Sequence, residues 1–372
     1  MLVNGKNYIT IWTNKDKSIV YTIDQRLLPH KFRIIKLKNS DDVILAIKNM
    51  TVRGAPLIGV AAAYGMYLAV LEAKRKFKSV KEINKYLILK SAEIKSTRPT
   101  AVNLFYAVEE SLKKINNANT SEEKKREAIN YAESLLKTEI DACRRIGMYG
   151  LKIIETISKK KKGGIVNILT HCNAGWLACI DYGTATAPIY FANERGIKVH
   201  VWVEETRPRN QGAGITAWEL GQNSVPHTII TDNAGGYVLQ KGLVDLVITG
   251  SDRTTITGDV CNKIGTYKTA LAAYDNRIPF YAAVPTSSID RKIKNGIKEI
   301  RIEERNENEV KRVQGKYKNR IIEVLITPEK SLVKNYGFDI TPRKYVTGII
   351  TEKGICRANE KNIKQLLTDN FK

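Results

Sequence analysis

Only four of the 372 residues are His and five are Cys, and the chain contains no Cys-x-x-Cys and no His-x-x-x-His pair. Without such pairs there is no tetrahedral zinc pattern, and an odd number of scattered cysteines does not make a disulfide framework. No apolar run is expected to approach bilayer-crossing length, and the opening Met1-Leu2-Val3-Asn4-Gly5-Lys6-Asn7 lacks the apolar stretch of a secretion signal. A soluble cytoplasmic protein with no membrane partner is therefore expected. No internal repeat or low-complexity tract points to a solenoid. Acidic residues are also short in number: 38 Asp+Glu against 61 Lys+Arg leave a net charge of +23.

Such an excess can signal nucleic acid, an anionic membrane or only a Lys-rich surface, and its distribution decides between them. Lys159 to Lys162 form one short run, and residues 291 to 320 carry eleven Lys+Arg interleaved with five Glu. Neither segment has the aromatics that nucleic-acid modules stack on bases, so the charge reads as a solvated surface and no specific nucleic-acid partner is expected. The composition is otherwise that of a folded protein, with 43% hydrophobic and 27% charged residues. The length exceeds the roughly 100 to 200 residues of one domain, so two unequal domains are expected.

Three short alternating runs, Tyr8 to Trp12, Ser18 to Ile23 and Arg33 to Leu37, predict a small antiparallel ribbon. From Asp41 to about Ser158 apolar residues recur three and four apart, which predicts a set of helices. The segment after Pro56 is rich in Gly and Ala, which allows another backbone to approach closely. Lys159 to Gly164 reads as a linker. Beyond it, apolar runs at Ile165 to Leu169, Val199 to Val203, Thr228 to Ile230, Leu243 to Ile248, Phe280 to Val284 and Ile321 to Ile326 alternate with helical segments. Continuous apolar strands separated by helices predict a parallel sheet covered on both faces. The expected fold is thus α/β, with a β-ribbon and helical domain at 1–160 and a Rossmann-like, doubly wound domain at 161–372.

Ligands of an open parallel sheet sit beyond the carboxyl ends of its strands. The segments that follow the first four strands are Thr170-His171-Cys172-Asn173-Ala174-Gly175, Glu204 to Gly212, Thr231 to Gly236, and Thr249-Gly250-Ser251-Asp252-Arg253. Small residues ahead of a helix present free N–H groups that favour an anion. The Gly-x-Gly-x-x-Gly fingerprint is absent after the first strand, which argues against a nicotinamide dehydrogenase. Cys172, placed where a helix is expected to begin, is either a small buried hydrophobe or a thiol whose proton affinity is tuned. Asp252, at the end of an apolar strand, is costly to bury unless paired or used. Cys143, Cys179 and Cys356 read as packing residues, and His30, His200 and His227 as structural or surface ones. Asn262-Lys263-Ile264-Gly265-Thr266 can converge an amide, an ammonium and N–H groups on one phosphate. Arg53 and Arg98 each precede a Pro-initiated helix, a second arrangement that selects phosphate.

Val52 to Gly65, Thr97 to Leu104, Thr170 to Gly175, Glu205 to Gly212 and Asp259 to Tyr267, in that order, resemble the motifs of the methylthioribose-1-phosphate isomerases. That family shares its fold with the regulatory subunits of translation initiation factor 2B and with ribose-1,5-bisphosphate isomerase. The resemblance runs from Leu27 to Pro342. It implies a homodimer that turns a sugar-phosphate substrate, 5-methylthioribose 1-phosphate, into the corresponding ketose in methionine salvage, with no metal or other cofactor. It also implies that Cys172 and Asp252 are the catalytic pair, and that Arg53, Gly54, Ala55, Arg98, Gln211, Asn262 and Lys263 hold the substrate. The alternatives are isomerisation of ribose 1,5-bisphosphate or 5-deoxyribose 1-phosphate, or a non-catalytic regulatory subunit. The chain departs from the family pattern at Glu205, Ser251, Thr257 and Cys261, none of them a group assigned to catalysis.

Overall fold

The computed structural model describes residues 1–98 and 101–368. Pro99 and Thr100, which belong to one of the motifs above, lie outside the described residues. The amino-terminal ribbon forms as three antiparallel strands, Ile11–Thr13, Val20–Ile23 and Ile34–Leu37, in that order. Five helices follow: α1 (Ser40–Lys48), α2 (Ala55–Lys76), α3 (Val80–Ser96), α4 (Val102–Asn116) and α5 (Ser121–Lys160). Asn39, Ser79 and Thr120 cap α1, α3 and α5, each accepting an N–H three residues on, and Glu123 completes a capping box at Thr120.

α2 overturns one expectation. It is 22 residues long with a mean hydropathy of 1.5 in its most apolar window, enough by length and composition to cross a bilayer. Its Gly and Ala residues lengthen the apolar stretch without bulk. Here 83% of that window is buried inside the protein, where α1, α3, α4 and α5 surround the helix. Gly59 faces the Asn103 backbone of α4, where a side-chain carbon would stand 3.2 Å from the carbonyl oxygen.

α5 is about 60 Å long at 1.5 Å per residue. Its first half, through Ala128, Ile129 and Ala132, packs into the helical core; its second half, through Ile146, Leu151 and Ile154, packs into the core of the large sheet. The helix ends at Lys160, and a turn at Lys161 to Gly163 leads to the first strand of the sheet. We propose the domain boundary at this turn, between residues 160 and 161.

The large sheet has seven strands in the order Gly354–Cys356, Gly348–Thr351, Phe280–Ala283, Leu246–Thr249, Val166–His171, Val199–Glu204 and His227–Ile230. All neighbours run parallel except the edge strand Gly354–Cys356. In chain order the six parallel strands stand 3-2-1-4-5-6, the doubly wound arrangement. The sixth strand differs from the sequence expectation. Ile321 to Ile326 lies instead in an antiparallel hairpin of Arg312–Tyr317 and Arg320–Leu325, closed by Lys318 and Asn319, and most of its residues are exposed. An apolar β-branched run reads alike in a hairpin and in a buried parallel strand. Gly348–Thr351, short and opened by Gly, fills the sixth place.

Glu139 of α5 is buried beside Ser287 and Glu352, with Oε2 unpartnered, and burial pushes its carboxyl up to about 7. A carboxyl with its folded pKa raised above the unfolded value binds more protons when folded, so its ionisation costs stability as pH rises. Glu139→Gln is therefore expected to stabilise the protein by about 3 kcal/mol above pH 7, with the gain vanishing as pH falls toward 4.5. Thermal melts of both proteins across that range check it.

Candidate active site

In a 3-2-1-4-5-6 sheet the topological switch lies between the first and fourth strands, and a crevice opens beyond their carboxyl ends. Cys172 follows the first strand, Val166–His171, and Asp252 follows the fourth, Leu246–Thr249. All nine residues singled out in the sequence, Arg53, Gly54, Ala55, Arg98, Cys172, Gln211, Asp252, Asn262 and Lys263, line a single cavity at this switch. The amino terminus of α2 brings Arg53, Gly54 and Ala55; the end of α3 brings Arg98.

Cys172 lies in a loop rather than at a helix start. Its φ is +65°, and the helix that follows is a single turn, Trp176–Cys179. The loop is pinned on both sides: the Cys172 N–H donates to Thr206 Oγ1 at 2.8 Å, and the Cys172 carbonyl accepts from Thr216 Oγ1 at 2.6 Å. Burial pushes the thiol up, although Arg53 and Lys263 pull it down and Asp252 raises it further. Burial likewise pushes the Asp252 carboxyl up, against Lys263, Arg98 and Arg53. The Lys263 ammonium is lowered by burial and supported by Cys172 and Asp252. The five groups form one electrostatic unit in which the thiol keeps its proton at neutral pH.

Buried polar atoms are normally hydrogen-bonded, and exceptions mark strain or a missing ligand. Arg53 donates to the Asn173 carbonyl at 3.2 Å and to Asn173 Oδ1, yet its Nε has no partner. Arg98 Nε and Gln211 Oε1 also lack partners. Three orphaned groups on one cavity wall are what a polar ligand would satisfy. Lys263 Nζ donates to the Gly337 carbonyl at 2.8 Å and sits 4.6 Å over the Phe338 ring, while Asn262 Nδ2 donates to Thr266 Oγ1 at 3.0 Å.

Gly54 has φ +95°, and a Cβ there would stand 2.5 Å from the Ala178 Cβ. Gly54→Ala is thus expected to cost about 1–3 kcal/mol of stability through backbone strain alone and to push Arg53 and Ala55 off the wall. A thermal melt read alongside substrate KM checks both.

His171, Asn173, Pro285, Ser288 and Phe338 also line the cavity, and none was singled out as a site residue from sequence. His171 and Asn173 adjoin Cys172 within the segment Thr170 to Gly175, which was the one available signal; the other three carry none. Cys143 and Cys179 pack together as expected, with the Cys143 thiol 3.9 Å from the Cys179 carbonyl, and Cys179 also reaches the cavity wall. His171, Glu204 and Asp232 are the one trio of metal-ligand type close enough to share an ion among the described residues. Both His171 nitrogens already face acceptors, and Asp232 accepts the Thr206 and Arg207 N–H groups, so hydrogen bonding accounts for the trio.

A recess adjoining the cavity shares Gly54, Ala55, Arg98, Asp252 and Phe338 with it, and adds Ile58, Ala101, Val102 and Ile300 as well as Arg253 and Arg301.

The model of the initiation factor 2 subunit family matches residues 51–358. A methylthioribose-1-phosphate isomerase of Desulfatibacillum aliphaticivorans is 52% identical over the full length of both chains, and one of Sinorhizobium medicae is 50% identical over 99% of this chain and all of the relative. The crystal structure of 5-methylthioribose 1-phosphate isomerase from Pyrococcus horikoshii superimposes with a TM-score of 0.85 at 38% identity, covering 98% of this chain and 97% of that one. A structure described as translation initiation factor eIF-2B subunit delta from A. fulgidus gives 0.81 at 37% identity, covering 98% and 100%. With the motifs in order, one cavity uniting them and relatives of this similarity over the whole length, the chain belongs to the initiation factor 2 subunit family and, within it, to the methylthioribose-1-phosphate isomerases.

Proposed function

We propose that the protein converts 5-methylthioribose 1-phosphate into 5-methylthioribulose 1-phosphate, with Cys172 as proton donor and Asp252 as base. The observation that carries this reading is the convergence of all nine residues on one cavity with unpartnered polar groups in its wall. The phosphate blocks the anomeric oxygen, so the ring must open by breaking the bond between C1 and the ring oxygen. Cys172 gives its proton to that oxygen as the bond breaks. The hydrogen of C2 moves to C1 while Asp252 takes the proton of the C2 hydroxyl, leaving a ketone. C2 is oxidised and C1 reduced by the same two electrons, so no external oxidant is consumed. The proton on Asp252 then returns to the Cys172 thiolate.

Arg53, Arg98 and Lys263 supply the positive charge that a phosphate requires, and Gly54, Ala55, Gln211 and Asn262 supply hydrogen bonds. Ile58, Ala101, Val102 and Ile300 suit a methylthio group at C5. Arg253 and Arg301 in the same recess make ribose 1,5-bisphosphate the rival to test. Supplying each substrate and following ketose formation by NMR decides: ketose from the methylthio sugar supports the reading, and its absence overturns it. Deuterium from deuterated water appearing at C1 marks an enediol route; its absence leaves a hydride or a shielded proton. The family resemblance further supports a homodimer working in the cytoplasm. Light scattering at twice the chain mass supports the dimer, and a monomer rejects it.

A further inference from the structure

The ends of the first and second strands of the large sheet and the turn at Ile264 meet at His171, whose ring is fully buried. Its Nδ1 lies 2.6 Å from Glu204 Oε2 and its Nε2 lies 2.8 Å from the Ile264 carbonyl oxygen. A carbonyl can only accept, so Nε2 carries a hydrogen. Glu204 also receives the Lys268 ammonium at 3.1 Å and the Thr269 hydroxyl at 2.9 Å. Although burial opposes it, the His171 hydrogen bond and charge, with Lys268 and Thr269, hold the Glu204 carboxyl below its ordinary value, so it is ionised and Nδ1 donates as well. A ring that donates from both nitrogens is an imidazolium.

The ring also fixes geometry. A Cβ on Gly265 would stand 2.7 Å from the His171 Cε1, so the ring packs directly on the Gly265 backbone. Gly265 caps the helix Thr266–Asp275, and Lys263, one residue before the clamped Ile264 carbonyl, reaches the cavity. On the other side His171 is bonded directly to Cys172. We propose that His171 is a positioning residue, protonated at neutral pH, that clamps the Lys263–Gly265 turn to the Cys172 loop and adds a positive charge to the floor of the cavity. This rests on the isomerase reading above.

The charged groups that face the ring are Glu204 at the end of the second strand, Asp232 at 4.0 Å after the third, and Lys268 through Glu204. Asp339 faces it as well and accepts the Gly265 N–H at 2.7 Å and the Tyr267 N–H at 3.1 Å. The balance favours the cation: although burial opposes it, the Glu204 hydrogen bond and charge, with Asp232, raise the His171 pKa. A raised pKa keeps the ring charged below its folded value and releases the clamp only as pH rises through that value.

The test begins with the unaltered protein. Only four histidines are present, so nitrogen NMR of ¹⁵N-histidine-labelled enzyme at pH 7.5 resolves each ring. One ring protonated on both nitrogens, unresponsive to pH between 6 and 8, is the expected result. Four neutral rings at pH 7.5 overturn the proposal whether or not the protein turns over any substrate. Glu204→Gln removes the partner charge and lets His171 titrate near the ordinary value of about 6.5 or below. Relative to wild type at each pH, its substrate KM is expected to rise at least about tenfold at pH 8 and to recover at pH 5.5, with kcat changing less than KM. A KM ratio that is the same at both pH values assigns Glu204 a purely structural role and overturns the charge function.

Discussion

Cys172→Ser is expected to lower kcat by about 100- to 10,000-fold with the melting temperature little changed. The substitution exchanges one sulfur for oxygen and leaves the loop's anchors alone, because Thr206 and Thr216 hold the Cys172 backbone and not its side chain. What it removes is acidity. Burial holds the thiol above its ordinary value, while Arg53 and Lys263 keep it from rising out of reach. The proton is thus present at neutral pH and still available to a ring oxygen that is gaining charge. A serine hydroxyl in the same place is far too weak an acid to give its proton at that moment. Ketose formation followed by NMR, with a thermal melt in parallel, separates loss of chemistry from loss of fold. A variant retaining near-normal turnover would show that the donor is another group.

Asp252→Asn is expected to be equally severe, about 100- to 10,000-fold in kcat. An amide cannot take the proton of the C2 hydroxyl, and it also withdraws the negative charge that faces Lys263 and Arg98. Substrate binding should weaken less than turnover, since the cations that meet the phosphate remain. The pH profile of the wild-type enzyme carries a second signature. Burial raises the Asp252 carboxyl, so the acidic limb of kcat/KM should fall at a pH above the ordinary carboxylate value of about 3.9. Burial also raises Cys172, so the alkaline limb should fall above the ordinary thiol value of about 8.5. Activity needs the base ionised and the acid protonated, which places the plateau between the two limbs. An acidic limb at or below the ordinary carboxylate value would remove Asp252 from the role of base.

Local pattern carried most of the architecture. The first five parallel strands and the small amino-terminal ribbon follow from periodicity within windows of a few residues, whereas Lys159 and Lys160, read as part of a linker, continue α5. Ile321 to Ile326 misleads because what distinguishes a hairpin from a buried strand is its partner, Arg312–Tyr317, which pairs antiparallel and leaves both strands in solvent. Gly348–Thr351 goes unnoticed because four residues beginning with Gly are too short a signal. Cys172 could be placed after its strand, but its left-handed backbone is imposed by Thr206 and Thr216, more than thirty residues away. Glu204 is the sharper case. It ends a strand as an unremarked acid, and its importance comes from His171, 33 residues earlier, and Lys268, 64 residues later. Such a pairing has no spacing to read.

α2 also shapes how the chain must be made. Its covering partners α4 and α5 are encoded after it, and α5 ends 84 residues beyond the end of α2. At about 5–20 residues per second of synthesis, an apolar helix of membrane-spanning length stays uncovered on the ribosome for roughly 4 to 17 seconds. During that interval it is a substrate for chaperones and for the membrane-insertion machinery alike. Chains truncated between α2 and α5 should therefore aggregate or partition to membranes, although the finished protein buries most of the same helix within its helical core.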